Sequence, residues 1–595
     1  MPSHPGGRHR RFSTRGWLVL TKLLRAYLRP HTGQVLLVVL LLSVQAAGGL
    51  YLPNLNADII NRGVLDGDTA YIWRTGGLML GIALALSTVS VIAIYWAARV
   101  SMTVGASLRA TIYQRVQRFS AREINQFGTA SLITRNTNDV QQVQAFLQVA
   151  LTLLVIALVT SVGGVVMAIR EGAALSVLLM VAVPVMALII AVMLAAVVPL
   201  FRSIQSKVDR INQLLREQIS GIRVIRAFLR TATEQGRFQL ANFELTRTSL
   251  RANRIFAVTS PVLVIVLNLS AVGIIWFGGH LVSRGSMPIG NLLAFVTYIL
   301  QILLAVITAV TVIILIPRAV ASAERITQVL STVPTVADPA QPGRPAHVTG
   351  AVEFRNVSFA YPGAAAPVLT GVTFTLWPGQ TSAIIGGTGS GKTTLLSLIL
   401  RFFDPAGGAV LVNGLDVRKQ SAEELWSGVG LVPQQAFLFG GTVASNLRFA
   451  GPHATDTDLW RALGVAQALD FVASMPGQLD ASVDQGGTNL SGGQRQRLSI
   501  ARALLTHAQL YLFDDCFSAL DPATDARLQA ALRAETRSAT VVIVAQRAST
   551  VMRADQIIVL DAGQIAGVGT HRQLLAACEP YREIVTSQLG EGTAA

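Results

Sequence analysis

The chain has 595 residues, 51% of them hydrophobic and only 13% charged, with a net charge of +16. Soluble domains carry roughly 25% charged residues, so an ordinary water-facing surface cannot run along the whole of it. Two cysteines, Cys516 and Cys578, stand outside any C-x-x-C pair, and eight histidines form no ligand-like cluster, which argues against a disulfide framework and a zinc site.

Arg8, Arg10, Arg11, Arg15, Lys22, Arg25 and Arg29 precede the first apolar stretch. Within that segment Gly16–Leu28 interleaves apolar residues with Lys22 and Arg25, the pattern of an amphipathic helix lying on the inner membrane surface. Six apolar stretches follow, at approximately Val35–Leu55, Gly76–Ala98, Phe146–Ile169, Leu175–Val197, Phe256–Phe277 and Leu292–Ile316. Each approaches the roughly 20 residues that a helix needs to cross ~30 Å of hydrocarbon. One such stretch would fit the buried helix of a large soluble core; six in succession do not. The first is long for a signal peptide and no small-residue cleavage site follows it, so it is read as an uncleaved span.

The connections alternate in charge. Six arginines, from Arg99 to Arg135, lie between the second and third spans, and eleven basic residues, from Arg202 to Arg254, between the fourth and fifth. The other loops hold little beyond Arg62, Arg74, Arg170 and Arg284. This asymmetry predicts that both termini are cytoplasmic. It also uses most of the positive charge, so nucleic-acid binding explains nothing further. The two basic connections run to about 50 residues each, too long for mere links. Ser101–Phe119 and Leu200–Ile219 read as helices carrying the spans into water, with breaks at Ala121–Thr129 and Ser220–Gly221.

Thr332–Gly350, with Pro334, Pro339, Pro342 and Pro345, reads as an extended linker. After it, strand-like runs at Val352–Phe354, Thr381–Ile385, Val410–Val412, Leu510–Phe513, Val541–Val544 and Gln556–Leu560 alternate with helical ones. The expected fold is an all-α six-helix transmembrane domain followed by an α/β phosphate-loop domain. The expected divisions are a cytoplasmic N-terminus over 1–30, a membrane domain over 31–325, a linker over 326–350 and an ATP-binding domain over 351–595.

Three motifs carry chemistry. GGTGSGKT (Gly386, Gly387, Thr388, Gly389, Ser390, Gly391, Lys392, Thr393) follows an apolar strand and precedes a helical run, Thr394–Phe402. Its glycines let backbone N–H groups turn inward onto phosphate oxygens, Lys392 reaches the outer phosphates and Thr393 offers a hydroxyl to Mg²⁺. Asp514 ends the strand Leu510–Phe513, where a carboxylate suits Mg²⁺ in a nucleotide site. NLSGGQRQR, Asn489–Arg497, opens a helix with Ser491 as a natural N-cap, and its glycines permit an anion to approach closely.

LSGGQ, some 20 residues before that strand, makes the chain resemble the ATP-binding cassette (ABC) transporters, in the exporter form of six spans fused to one nucleotide-binding domain. The resemblance covers nearly the whole chain. It implies that Tyr361 stacks on adenine, that Thr394 lies with the phosphate loop, and that Gln434 contacts Mg²⁺ and links the site to the membrane domain. It implies that the loop Ser518–Asp521 crosses between two nucleotide domains set head to tail, and that Ser491, Gly492, Gly493 and Gln494 complete the other chain's ATP site. The cofactors implied are ATP and Mg²⁺. Six spans are half the family's usual complement, so a second six-span chain is implied as partner, along with membrane lipids and a hydrophobic or amphipathic small-molecule substrate such as a drug or lipid. Dense Ala and Arg suggest a high-GC bacterial genome, and with the six spans the expected location is a bacterial cell membrane.

Three departures from the family pattern stand out. Asp515 stands where efficient hydrolysers carry the glutamate that polarises water, one methylene longer. Gln546 stands where they carry a histidine at the γ-phosphate, and glutamine cannot become cationic. Gln485 and Gly486 replace a Glu-Arg pair common in homodimeric relatives. The binding residues are intact while the catalytic positions Asp515 and Gln546 are altered. The expectation is half of a heterodimeric multidrug or lipid exporter, with a slow, degenerate site of its own. The alternatives are a homodimeric active exporter and a nucleotide-gated regulatory or importing subunit.

Overall fold

The computed structural model describes residues 14–345, 347 and 350–589; the basic residues Arg8, Arg10 and Arg11 lie outside them. The chain divides into two compact units, residues 1–117 with 130–332 and residues 118–129 with 333–595.

Among the described residues, six helices are long and apolar enough to cross a bilayer: Gly16–Val64, Thr69–Gln117, Thr129–Glu171, Ser176–Ser220, Thr231–Ser283 and Ile289–Ser331. At 1.5 Å per residue, the 53 residues of the fifth reach about 80 Å, far beyond ~30 Å of hydrocarbon. The spans therefore continue as helices through the polar connections. The first begins with the helix Thr14–Leu28, where an amphipathic helix is expected. The sequence suggests a plain break at Ala121–Thr129, but a short helix, Ala121–Phe127, forms there. Ser120 caps it, and Gly128 stops it at φ 75°, a left-handed value that favours glycine. Gly221 likewise interrupts the fourth helix before a short helix, Ile222–Ala227.

The apolar windows of the spans are at most 28% buried within the chain. Leu84, Leu188 and Leu269 face outward, as a lipid solvent permits. The buried core gathers Leu175, Met186, Ile274, Phe295, Tyr298 and Leu303. Polar side chains staple the helix ends. Asn61 donates to Asn291 at 2.8 Å and Asn291 to Glu171 at 2.7 Å, joining the first, third and sixth spans. At the other end Asp139 is paired with Arg325 and accepts from Ser322 at 3.0 Å.

The second unit has a four-stranded antiparallel sheet in the order Leu369–Leu376, Val352–Phe359, Gly407–Val412, Leu415–Asp416. Its six-stranded sheet runs Gln564–Gly569, Gln556–Asp561, Thr381–Ile385, Thr540–Val544, Leu510–Asp514, Val429–Val432, all parallel except the first. Its central strands are continuous apolar runs because helices cover both faces. In such sheets, ligands gather beyond the carboxyl ends of the strands.

Candidate ATP site

Four neighbouring parallel strands deliver the candidate residues to one edge. Thr381–Ile385 runs into the phosphate loop, Thr540–Val544 into Gln546, Leu510–Asp514 into Asp515, and Val429–Val432 into Gln434. Gly389 (φ 82°) and Gly391 (φ 103°) occupy left-handed backbone that a side chain would strain. The following helix begins at Lys392, two residues earlier than the sequence suggests, and runs to Ile399.

Lys392 is buried to 7% exposure, and its ammonium donates to the carbonyls of Gly386 at 2.9 Å and Gly387 at 2.7 Å. Burial pushes its pKa down, while the Asp515 and Asp514 carboxylates pull it back up. The buried Ser390 hydroxyl has no hydrogen-bond partner among the described residues. Gly387, Thr388 and Gly389 are exposed, so the loop's outer face is open.

Thr393 donates its hydroxyl to Asp514 Oδ1 at 3.1 Å. Burial raises the Asp514 pKa, and the nearby Asp515 adds to this against the Thr393 bond and Lys392. A hydroxyl and one carboxylate, both hard oxygen donors at hydrogen-bond distance, fit Mg²⁺, which takes few protein ligands and completes its shell with water and phosphate oxygens. Thr393 and Asp514 would hold it. When bound, Mg²⁺ neutralises charge on the phosphates.

Asp515 sits at φ 46°, its N–H bonded to the Val544 carbonyl at 2.9 Å. Its Oδ2 accepts from the Gln546 amide at 2.9 Å and from the Gln434 amide at 3.4 Å. Burial raises its pKa; the hydrogen bond from Gln434 and the charge of Lys392 oppose this. Gln434, Asp515 and Gln546 therefore form one cluster next to Asp514. The Tyr361 and Thr394 hydroxyls share a hydrogen bond of 3.0 Å, and the Phe359 and Phe403 rings brace Tyr361 edge-on at 5.0 and 5.4 Å. That holds an aromatic ring over the start of the phosphate-loop helix.

The signature segment stands elsewhere. Ser491 caps the helix Gly492–Leu504 in a reciprocal box with Gln494, with bonds of 3.3 and 2.9 Å. Ser491 and Gly492 are exposed, and among the described residues no hydrogen bond joins them to the phosphate loop. Asp521 caps the helix Pro522–Glu535 through Thr524 N–H at 2.9 Å. Arg547, which the motif reading passes over, donates to Ser518 O at 3.1 Å and ties the loop before Asp521 to Gln546's own segment. Its one sequence signal is its place next to Gln546.

Residues 35–306 match the family profile of the ABC transporter transmembrane region, and residues 369–518 match the ABC transporter profile. An ABC transporter ATP-binding protein of Mycobacterium tuberculosis is 45% identical over 96% of this chain and 98% of its own. The chain belongs to the ABC transporter family. A further ABC relative, an ATP-dependent lipid A-core flippase of Thiobacillus denitrificans, is 30% identical over 96% of this chain and 98% of its own. The solved structure of a bacterial Atm1-family ABC exporter with ATP bound shares the fold, with a TM-score of 0.79 over 96% of this chain and all of that one at 23% identity. This ABC protein is thus an exporter-type half-transporter, a multi-pass membrane protein and an ATP-hydrolysing transporter. ABC exporters of this kind act as dimers.

Proposed function

We propose that the chain is one of two unlike halves of a bacterial cell-membrane exporter for hydrophobic or amphipathic compounds, lipids or drugs, with both termini cytoplasmic. Residues 31–325 are its membrane domain, 326–350 its linker and 351–595 its nucleotide-binding domain. Its own phosphate loop, with Tyr361, Gln434 and Asp514, retains MgATP with slow turnover. Its Ser491, Gly493 and Gln494 complete the hydrolytic site of the partner.

The observation that carries this reading is the Asp515 carboxylate, bonded by two glutamine amides, Gln546 and Gln434. Neither amide can supply a cation to the γ-phosphate. The aspartate is one methylene short of the usual glutamate, and a retreat of about 1 Å costs ~10²-fold where attack geometry matters. The likeness to a lipid A-core flippase supports an amphipathic substrate. The tip of the second cytoplasmic connection supports a second chain: Val224, Phe228 and Leu229 are 61%, 72% and 88% exposed there, more apolar surface than a solvated loop tip usually keeps.

The test is to purify the chain alone and measure ATP turnover. Slow turnover, rising sharply on adding a six-span chain that carries glutamate and histidine at the matching positions, is expected. Brisk activity from two identical copies, abolished by Asp515→Ala, overturns the reading in favour of a homodimer.

A further inference from the structure

The short helix Ala121–Phe127 lies in the connection between the second and third spans, yet it belongs to the compact unit that holds the ATP site. One side chain accounts for much of this. Glu123 is 2% exposed, and its two carboxylate oxygens divide their bonds. Oε2 accepts from Ser120 N–H at 2.9 Å and from the Ser120 hydroxyl at 2.6 Å, capping its own helix. Oε1 accepts from the Thr335 hydroxyl at 2.8 Å and from Thr335 N–H at 3.2 Å, 212 residues away in the linker. The Ser120 and Thr335 hydroxyls also meet at 3.1 Å. Burial works to raise the Glu123 pKa, but these bonds outweigh it and hold the carboxylate below its ordinary value.

Two residues further along, the linker is gripped from the other side. Arg401 Nη2 donates to Ala337 O at 2.9 Å, while Nη1 donates to Gln420 O at 3.2 Å and Nε to Asp404 at 3.0 Å. Ala422 N–H donates to Asp338 at 2.8 Å. Arg401 is 7% exposed and follows directly on the phosphate-loop helix, which ends at Ile399 with its cap at Leu400. Between the two anchors lies Thr335 to Ala337, a span of no more than about 7 Å even when fully extended. So short a piece of chain has no slack. A shift of the phosphate-loop helix moves Ala337, and Ala337 moves Thr335 against a desolvated carboxylate with few other ways to satisfy its oxygens.

We propose that Glu123 and Arg401 are positioning residues that clamp the linker into a strap between the phosphate-loop helix and the cytoplasmic helix Ala121–Phe127, relaying MgATP occupancy to the connection between the second and third spans. The relay stands whether the chain pairs with a like or an unlike partner. It requires a shared displacement and not contact alone.

The test reads amide hydrogen exchange of the full chain in lipid nanodiscs, with and without MgATP. In the unaltered chain MgATP slows exchange at residues 118–129 and 333–340 as well as at the phosphate loop. Thr335→Val removes the linker's hydroxyl and leaves the Ser120–Glu123 cap whole; Arg401→Lys keeps the charge and loses the planar fork. In each variant MgATP still protects the phosphate loop, while its effect on 118–129 shrinks by at least about fivefold, the lower end of a typical coupling. If 118–129 ignores MgATP in the unaltered chain, or responds in full in both variants while the phosphate loop is protected, the strap is not a relay. Exchange does not read turnover, so this result is separate from the question of unequal sites.

Discussion

The Gln546 amide donates to the Asp515 carboxylate at 2.9 Å, and the two residues lie beyond the ends of adjacent parallel strands. The bond makes the two departures from the family pattern one feature. A longer carboxylate at 515 would still be held by the same amide, and a histidine at 546 would face an aspartate that falls short. Asp515→Glu alone and Gln546→His alone are each expected to raise turnover less than tenfold. The double variant is expected to raise it about 10²-fold, the scale of a ~1 Å correction in geometry. The measurement is ATP turnover by the chain purified alone, where the LSGGQ of a second copy serves the site. Equal rates in all four proteins would contradict the expectation.

Lys392 is the buried cation of the site, held by two loop carbonyls. A nucleotide's outer phosphates offer it a charge-assisted bond worth up to ~3 kcal/mol. Lys392→Ala should therefore weaken MgATP binding by about 10²-fold, read by titration with a fluorescent ATP analogue. The same change should leave a partner's hydrolytic site standing, because Ser491 is untouched.

Ser491→Ala should have the converse effect. The Ser491 hydroxyl caps a helix of 13 residues, and its loss costs about 1 kcal/mol of local stability. ATP affinity at this chain's own phosphate loop should stay within twofold, while turnover by the assembled pair falls by tenfold or more. Ser491→Thr keeps the capping oxygen and should recover most of the rate. Turnover of the pair measured with each variant decides the matter.

Asp139 and Arg325 pair the third span with the sixth; the Asp139 side chain is 3% exposed and that of Arg325 47%. Removing the arginine strands a buried carboxylate, whereas removing both strands nothing. Arg325→Ala should cost about 1–3 kcal/mol, below the 3–5 of a fully buried pair because Arg325 is half in water. Asp139→Ala combined with Arg325→Ala should be the more stable protein. Thermal unfolding in detergent, followed by tryptophan fluorescence, gives the order.

Much of this architecture is legible in the sequence. The six spans follow from runs of apolar residues, since hydrocarbon selects on length and hydropathy summed over one local window. The phosphate loop is equally local: glycines, a lysine and a threonine in one octapeptide after a strand. Other elements escape such reading. Leu369–Leu376 buries Leu369, Val372, Phe374 and Leu376, but Gly371 at φ 64° and bulges in its pairing blur the alternation. Val429–Val432 is too short to stand out, and it counts as a strand because Leu510–Asp514 pairs with it. The helix Ala121–Phe127 carries no strong periodicity, and Glu123 reads as a solvated charge until Thr335 is set beside it.

From residue order alone came the membrane spans, the ATP-binding motifs and the altered identities at 515 and 546, because each depends on side chains within one stretch of backbone. The folded chain decided that Gln546 bonds Asp515, that Thr393 faces Asp514, and that Glu123 and Arg401 hold one short linker from opposite sides. Those relations join residues 31 to 212 positions apart. Strand order and burial set them, and no local pattern encodes either.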